Sequence, residues 1–173
     1  MHYLLVRALE RAGLRYDEIQ PVFLAPADGR AAFEAKAIDA WVIWDPFQAA
    51  AELAVGARTL ASGEGLVANH QFFLGHRKFV TEAQETLEIV LAAIDQVDRE
   101  ANGNTDSAAR ELAPAIGMPE PVLKLALSRQ SWGVRPLSDA VVVEQQRIAD
   151  TFLALGLIPR AIKVADAVRR PAS

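Results

Sequence analysis

Apolar and polar positions follow two different periods along this chain. In the first 65 residues, short apolar runs of strand length are separated by stretches with helical spacing. The predicted strands are 19–24, 38–44 and 57–61, and helices are predicted from Asp28 to Lys36 and from Pro46 to about Val55. Strands that alternate with short helices favour a parallel sheet with right-handed crossovers, which places the chain in the α/β class.

Beyond residue 65 the pattern is almost wholly helical. One more strand is predicted at 70–75, and the helices that follow are predicted at about 81–100, 105–117, 121–130 and 138–155. Thr105 or Asp106 is the predicted cap of the second of these helices, and Ser138 is the predicted cap of the last. The change of pattern near residues 67–73 predicts a boundary between a first segment, 1–68, and a second, 69–173.

Composition narrows the functional classes. The 173 residues carry a formal net charge of −4, which argues against a nucleic-acid partner because such proteins present a basic surface. The chain has no cysteine, which excludes a thiol nucleophile, and its three scattered histidines do not predict a metal site. No apolar run approaches the roughly 20 residues that span a bilayer. No serine lies in the Gly-x-Ser-x-Gly motif of hydrolases.

The stretch Ala40–Phe47, which reads Ala-Trp-Val-Ile-Trp-Asp-Pro-Phe, is the strongest candidate for a ligand site. It carries an aromatic residue and a carboxylate to the turn between a strand and a helix, where open α/β sheets form ligand clefts. Two roles are open for Trp44, contact with the apolar part of a ligand or ordinary core packing. Two are also open for Asp45, acceptance of a hydrogen bond from a ligand or capping of the following helix.

Four stretches of the chain resemble one protein family. They are Leu-Leu-Val-Arg-Ala-Leu-Glu-Arg-Ala-Gly-Leu near the start, Pro-Ala-Asp-Gly-Arg-Ala-Ala-Phe, Asp-Ala-Trp-Val-Ile-Trp-Asp-Pro-Phe and Asn-His-Gln-Phe-Phe-Leu. In this order they resemble the substrate-binding proteins of bacterial aliphatic sulfonate ABC transporters, within the taurine and nitrate group. The resemblance extends to Trp132-Gly-Val and to the ending Ile162-Lys-Val-Ala-Asp-Ala-Val168.

The resemblance implies a two-lobed periplasmic binding protein of the type II fold that closes on a small anion. Such a protein delivers an alkanesulfonate, or taurine, to a membrane permease; it is not an enzyme and needs no cofactor. Members begin with a signal peptide and most of the first lobe, so this chain, which shows neither, is expected to be an N-terminally truncated version. Residues 1–68 then correspond to one partial doubly wound lobe, lacking its first strand. Residues 69–173 correspond to the hinge crossing and a mostly helical return segment of the other lobe.

A sulfonate spreads one negative charge over three oxygens and suits backbone N–H groups at helix N-termini, with added side-chain donors. The resemblance places His2 beside such a terminus, and Arg30 offers a positive charge at the start of another helix. Asn69 and His70 lie where the chain is expected to cross between lobes, at the hinge or the cleft wall. The candidate ligand-binding residues are therefore His2, Arg30, Trp44, Asp45, Asn69 and His70, and no metal ligand is expected.

Three other interpretations remain open from the sequence. The same fold occurs in enzymes of the thiamine pyrimidine-synthase type, which need a dedicated histidine and metal constellation. It also occurs in ligand-sensing domains of transcription regulators, which need a helix-turn-helix. The third is a nonfunctional remnant that folds partly, or that pairs with a second copy in a strand-exchanged dimer to replace its missing strand.

Overall fold

The computed structural model describes residues 1–169, and within them the chain forms eight α-helices. They are α1 (His2–Arg11), α2 (Pro26–Glu34), α3 (Phe47–Val55), α4 (Arg77–Glu82), α5 (Gln84–Gly103), α6 (Thr105–Ile116), α7 (Glu120–Leu127) and α8 (Asp139–Ala154). Single 3-10 turns occur at Tyr16–Glu18 and Val164–Ala167. None of the helices in this part of the chain has both the length and the apolar character needed to cross a membrane.

The helix boundaries follow local capping chemistry. Ser138 caps α8 as predicted, because its hydroxyl accepts a hydrogen bond from the Val141 N–H at 3.4 Å. The predicted cap of α6, Thr105 or Asp106, is wrong by one position: Asn104 is the cap, and its side-chain oxygen accepts from the Ser107 N–H at 3.0 Å. Gly56 and Gly117 end α3 and α6 in the left-handed conformation, with φ of 65° and 70°.

The helix predicted from about 81 to 100 is two helices. The chain leaves helical geometry at Ala83, where φ is −117° and ψ is 45°, so that α4 and α5 are separate. His76 sets the start of α4, since its Nδ1 accepts a hydrogen bond from the Lys78 N–H at 3.3 Å. The apolar stripe in the sequence lies on α5 alone. The sequence pattern therefore does not indicate that α4 is a separate helix.

The predicted strands do not pair into a sheet. Within residues 1–169 no β-ladder forms, and the predicted strand regions are segments without helix or turn at 20–25, 40–44, 56–59 and 67–76. The prediction of a parallel sheet is therefore not confirmed for the described residues. The apolar runs that predicted strands do mark segments outside the helices, but a ladder also needs a neighbouring strand to hydrogen-bond with, and none of these segments provides one to another.

The chain divides into two compact units. One comprises 1–71 and 97–132, and the other comprises 72–96 and the described residues from 133 onward. Residues 97–132 therefore join the unit of the N-terminal segment rather than following a single cut near residue 68. The correspondence of 1–68 and 69–173 to lobes stays a prediction.

Small side chains form the core of the first unit. α3 packs on α7, and α7 packs on α6. The buried cluster between α3 and α7 consists of Ala49, Ala50, Val122 and Ala126. Because three of the four are alanines, the helices approach closely while burying little apolar volume.

The segment that leads into α3 is held against α2 by Trp41. A Cβ at Gly29 would lie 2.7 Å from the Trp41 Nε1, so the indole ring uses the space that only glycine leaves. The Phe33 ring adds a tilted contact to Trp41, with ring centroids 6.2 Å apart. This packing fixes the path of residues 40–44 toward the candidate site at the start of α3.

Candidate functional site

Asp45 and Trp44 lie together at the N-terminus of α3. The Asp45 Oδ1 accepts a hydrogen bond from the Ala49 N–H at 3.0 Å, so this carboxylate caps the helix. The Trp44 ring packs edge-on against Phe47, with ring centroids 5.9 Å apart, yet its residue remains 47% exposed. Trp44 is thus not a core residue in this structure, and its contact with a ligand stays a prediction.

An ion network that the sequence did not predict surrounds Asp45. Arg129, just beyond the end of α7, lies 3.6 Å from the Asp45 Oδ2 through its Nη1, and it also pairs with Glu52 on α3. Gln48 and Thr59 each donate a hydrogen bond to the Glu52 Oε1 at 3.0 Å. The network therefore ties the start of α3 to the end of α7 and to the segment after α3.

The charges in this network stabilise one another. The hydrogen bond from Arg129, aided by those from Gln48 and Thr59, holds the pKa of Glu52 below its ordinary value of 4.5, although burial opposes the shift. The pairing with Glu52 raises the pKa of Arg129. Both carboxylates of the network thus face a permanent cation, which lowers the negative potential at the start of α3.

Asp45 and Glu52 are about two helical turns apart in the sequence, and this spacing indicates that the two carboxylates lie on the same side of the helix. Arg129, however, lies 77 residues beyond Glu52. Nothing in the local pattern around Arg129 distinguishes it from a solvated arginine at the end of a helix, so its role appears only in the folded chain.

His2 lies at the first position of α1, in an aromatic contact. Its Nε2 is 2.7 Å from the Tyr16 hydroxyl, and its ring centroid is 5.6 Å from that of Phe23. Burial and, second, the positive charge of the amino terminus lower the pKa of His2 below its ordinary value of 6.5. Since Phe23 lies three residues before α2, the contact places the start of α1 next to the segment that enters α2.

The remaining candidates are Arg30, Asn69 and His70. Arg30 pairs along its own helix with Glu34, with 2.6 Å between the Arg30 Nε and the Glu34 Oε1, and 42% of its side chain is exposed. Asn69 has a left-handed φ of 52°, and both it and His70 are exposed. Of the six candidates, the structure brings Trp44 and Asp45 to one helix terminus. The ligand-binding roles of all six stay predictions.

The positions of histidine and carboxylate side chains bear on metal binding. Within residues 1–169 no group of three or more histidine, cysteine, aspartate or glutamate side chains is arranged to hold a metal ion. The candidate region instead combines an exposed indole ring, a capping carboxylate and an arginine, which suits non-covalent binding of a small organic molecule.

Two curated proteins are similar to the chain, while no family model matches it. A protein of Escherichia coli (strain K12), provisionally named an aliphatic sulfonates-binding protein, is 35% identical over 171 residues. That match covers 98% of this chain and 54% of the relative. A protein of Bacillus subtilis (strain 168) with the same provisional name is 27% identical over 152 residues, covering 87% of this chain and 46% of the relative.

Two solved structures are similar to the fold. The periplasmic aliphatic sulphonate binding protein SsuA from Escherichia coli matches with a TM-score of 0.91 and 35% identity, over 99% of this chain and 56% of that one. The alkanesulfonate-binding protein SsuA from Xanthomonas axonopodis pv. citri, solved bound to MOPS, matches with a TM-score of 0.90 and 39% identity, over 98% of this chain and 59% of that one.

The chain spans about half the length of the curated relatives that it matches. Within that span the match is nearly continuous in both sequence and backbone. The comparisons thus confirm the resemblance predicted from the sequence: along nearly its whole length, this chain is similar to aliphatic sulfonate-binding proteins of the periplasmic type.

Proposed function

We propose that this chain is part of the solute-binding component of an ABC importer for aliphatic sulfonates. It contributes to a periplasmic, type II-like binding protein that captures a small organic anion between two lobes and passes it to the permease. The observation that carries the proposal is the backbone match to two sulfonate-binding structures, at TM-scores of 0.91 and 0.90. One of those relatives holds MOPS, which is itself an alkanesulfonate.

The electrostatics favour the start of α1 over that of α3 as the place for the sulfonate group. The Asp45 carboxylate already accepts the Ala49 N–H at the start of α3, where an anion would compete with it and be repelled. The first turn of α1 has no acidic residue, and His2 begins it. We infer that the sulfonate oxygens bind near His2, within reach of backbone N–H donors.

The apolar part of the ligand then contacts Trp44. Its exposed indole offers a flat apolar surface, and the edge-on contact with Phe47 holds the ring in place. Asp45 and Arg129 set the charge beside this ring, so they distinguish ligands by the polar groups on the alkyl chain. Arg30, Asn69 and His70 remain candidates for further contacts. No cofactor takes part, and a strand-exchanged dimer stays a prediction.

The first test measures thermal unfolding with ethanesulfonate, MOPS, taurine, sulfate and nitrate. A ligand at 100 times its Kd stabilises the folded state by about 2.7 kcal/mol. For a chain of this size that raises Tm by roughly 5–10 °C. We expect the alkanesulfonates to produce this shift and sulfate to produce much less. Equal shifts with sulfate and nitrate would contradict the proposal, and no shift with any sulfonate would show that this chain alone does not form the ligand site.

A matched pair of variants tests the role of the indole ring. Trp44→Leu is expected to weaken binding of long-chain sulfonates roughly 3- to 10-fold, since an aromatic contact contributes about 0.5–1.5 kcal/mol. Phe79→Leu is the control, because Phe79 is an aromatic residue of similar exposure, 41%, on α4. Equal losses in the two variants would remove Trp44 from the ligand site.

A further inference from the structure

The two carboxylate oxygens of Asp45 make different contacts at the start of α3. Its Oδ1 accepts a hydrogen bond from the Ala49 N–H at 3.0 Å, and its Oδ2 lies 3.6 Å from the Arg129 Nη1. Because a carboxylate is a rigid planar group, an attraction at one oxygen helps to fix the direction of the other. The cap of α3 therefore depends on the position of the Arg129 guanidinium group.

Glu52 fixes the position of this guanidinium group. The Arg129 Nη1 donates to the Glu52 Oε1 at 3.4 Å, and the Nη2 donates to the Oε2. Two donors on one planar group restrain its orientation as well as its distance. Gln48 and Thr59 each donate to the Glu52 Oε1 at 3.0 Å, so the carboxylate is itself restrained. The guanidinium group is thus presented to Asp45 from a fixed direction.

Trp44 is connected to the same network through its backbone. Its carbonyl accepts a hydrogen bond from the Gln48 N–H at 3.2 Å, and the Gln48 side chain donates to Glu52. Asp45 follows Trp44 directly and caps the helix. A weaker cap would loosen the turn at 44–46, on which the direction of the indole ring depends. The ion network can therefore change the direction of the ring without touching it.

We propose that Arg129 is a positioning residue of the ligand site, which sets the preference for long alkyl chains by holding Asp45 and, through it, the Trp44 ring. The inference rests on the proposed function, in which the sulfonate group binds near His2 and the alkyl chain contacts Trp44. A short sulfonate that does not reach the ring is then insensitive to Arg129. A long one binds best when the ring keeps its direction.

The first test compares the Kd values of methanesulfonate and octanesulfonate for the unchanged chain and its variants. Arg129→Gln is expected to reduce the preference for octanesulfonate by about 3-fold or more, as loss of the indole contact would. Lys124→Gln is the matched control, since Lys124 on α7 also pairs with two carboxylates, Asp106 at 3.4 Å and Glu120 at 3.2 Å. An equal reduction in the two variants, or none in Arg129→Gln, would overturn the proposal.

A double-mutant cycle shows whether Arg129 acts through the ring. Once Trp44→Leu has removed the indole, adding Arg129→Gln is expected to cause no further loss of preference, so the two effects are not additive. Arg129→Lys keeps the charge but loses the planar fork that reaches two carboxylates, and it is expected to show less than the full preference. Additive losses in the cycle, or a full preference in Arg129→Lys, would overturn the positioning role.

Amide hydrogen exchange without ligand separates this inference from the proposed function. In Arg129→Gln, exchange of the Ala49 amide is expected to accelerate about 3- to 10-fold more than that of the Ala109 amide, which lies in α6 of the same unit. Lys124→Gln is expected to leave this ratio unchanged. If the unchanged chain binds no sulfonate, the chain alone does not form the ligand site, and an unaltered ratio in Arg129→Gln would still overturn the positioning role.

Discussion

Arg129 shows how a single side chain decides the electrostatics of the candidate region. It faces two carboxylates, Asp45 and Glu52, which would otherwise repel both each other and an anionic ligand. Since the pKa of Glu52 is held below 4.5 in the folded chain, the pairing stabilises the fold at neutral pH. That stabilisation is lost as the pH falls through the lowered pKa, because Glu52 is then protonated in both the folded and the unfolded chain.

Arg129→Gln is expected to lower the free energy of unfolding at pH 7 by about 1 kcal/mol, the upper end of the range for partly exposed pairs. The deficit relative to the unchanged chain should shrink steadily below pH 4.5. Urea unfolding at a series of pH values measures it. Arg160→Gln, which removes an exposed arginine of the other unit, serves as the charge control and should show no such pH dependence. A deficit that stays constant down to pH 3 would show that Arg129 acts through packing alone.

Gly29 affects stability because it has no side chain. Replacing a glycine inside a helix by alanine ordinarily stabilises a protein by roughly 0.5–1 kcal/mol. At Gly29 the new Cβ would lie 2.7 Å from the Trp41 Nε1, so Gly29→Ala is expected to destabilise the chain by about 1–3 kcal/mol. Gly103→Ala is the control, because nothing lies within 4 Å of a Cβ there. Equal effects on urea unfolding would mean that the indole moves aside without cost.

In the second unit, a glutamine side chain on α8 makes the backbone hydrogen bonds that hold the following segment against this helix. Gln146 on α8 donates from its Nε2 to the Ile162 carbonyl and accepts at its Oε1 from the Val164 N–H, each at 2.8 Å. The amide group thus satisfies two backbone groups of the segment after α8, as a neighbouring strand would. This contact holds the turn at Val164–Ala167 against α8.

Gln146→Met keeps the length of the side chain and removes both bonds, together with the hydrogen bond that the Gln146 Nε2 donates to the Asp150 Oδ1. The variant is expected to lose about 1–3 kcal/mol of stability and to accelerate exchange of the Val164 amide, because two polar backbone groups lose their partner. Gln145→Met, at the neighbouring position on the same helix, tests for a general effect of the substitution. Unaltered Val164 exchange in Gln146→Met would show that the segment is held by other contacts.

At the scale of the whole molecule, the described core is built mainly from small side chains. Within residues 1–169 no large side chain is fully buried, and the core residues are mainly alanines and valines. Because few large side chains are buried, we expect the urea m-value of the isolated chain to be smaller than that of a compact protein of equal length, since the m-value follows the area exposed on unfolding. We also expect it to bind a hydrophobic dye.

Equilibrium urea unfolding and dye fluorescence measure these properties directly. A full-sized m-value without dye binding would show that the chain covers its apolar surface in solution.

Helix positions were largely predictable because their signals are local. Ser138 begins α8, whereas Gly56 and Gly117 end α3 and α6, and each of these caps lies next to its helix in the sequence. The order of distinctive segments was equally local, so the likeness to sulfonate-binding proteins was visible from the sequence. Asp45 as a helix cap belongs to the same class, since it follows from a short carboxylate at a helix start.

Only the tertiary structure decided whether the apolar runs became strands and which charges met. The runs at 19–24 and 38–44 carry strand preference, but a ladder requires a second strand at hydrogen-bonding distance, and no composition within a run can supply it. The pairing of Arg129 with Asp45 and Glu52 and the packing of Trp41 on Gly29 likewise join residues far apart in the chain or on different elements. The sequence by itself determined the helices and the family resemblance because those depend on neighbours along the chain. The pairing of strands and charges depended on neighbours in space, which only folding brings together.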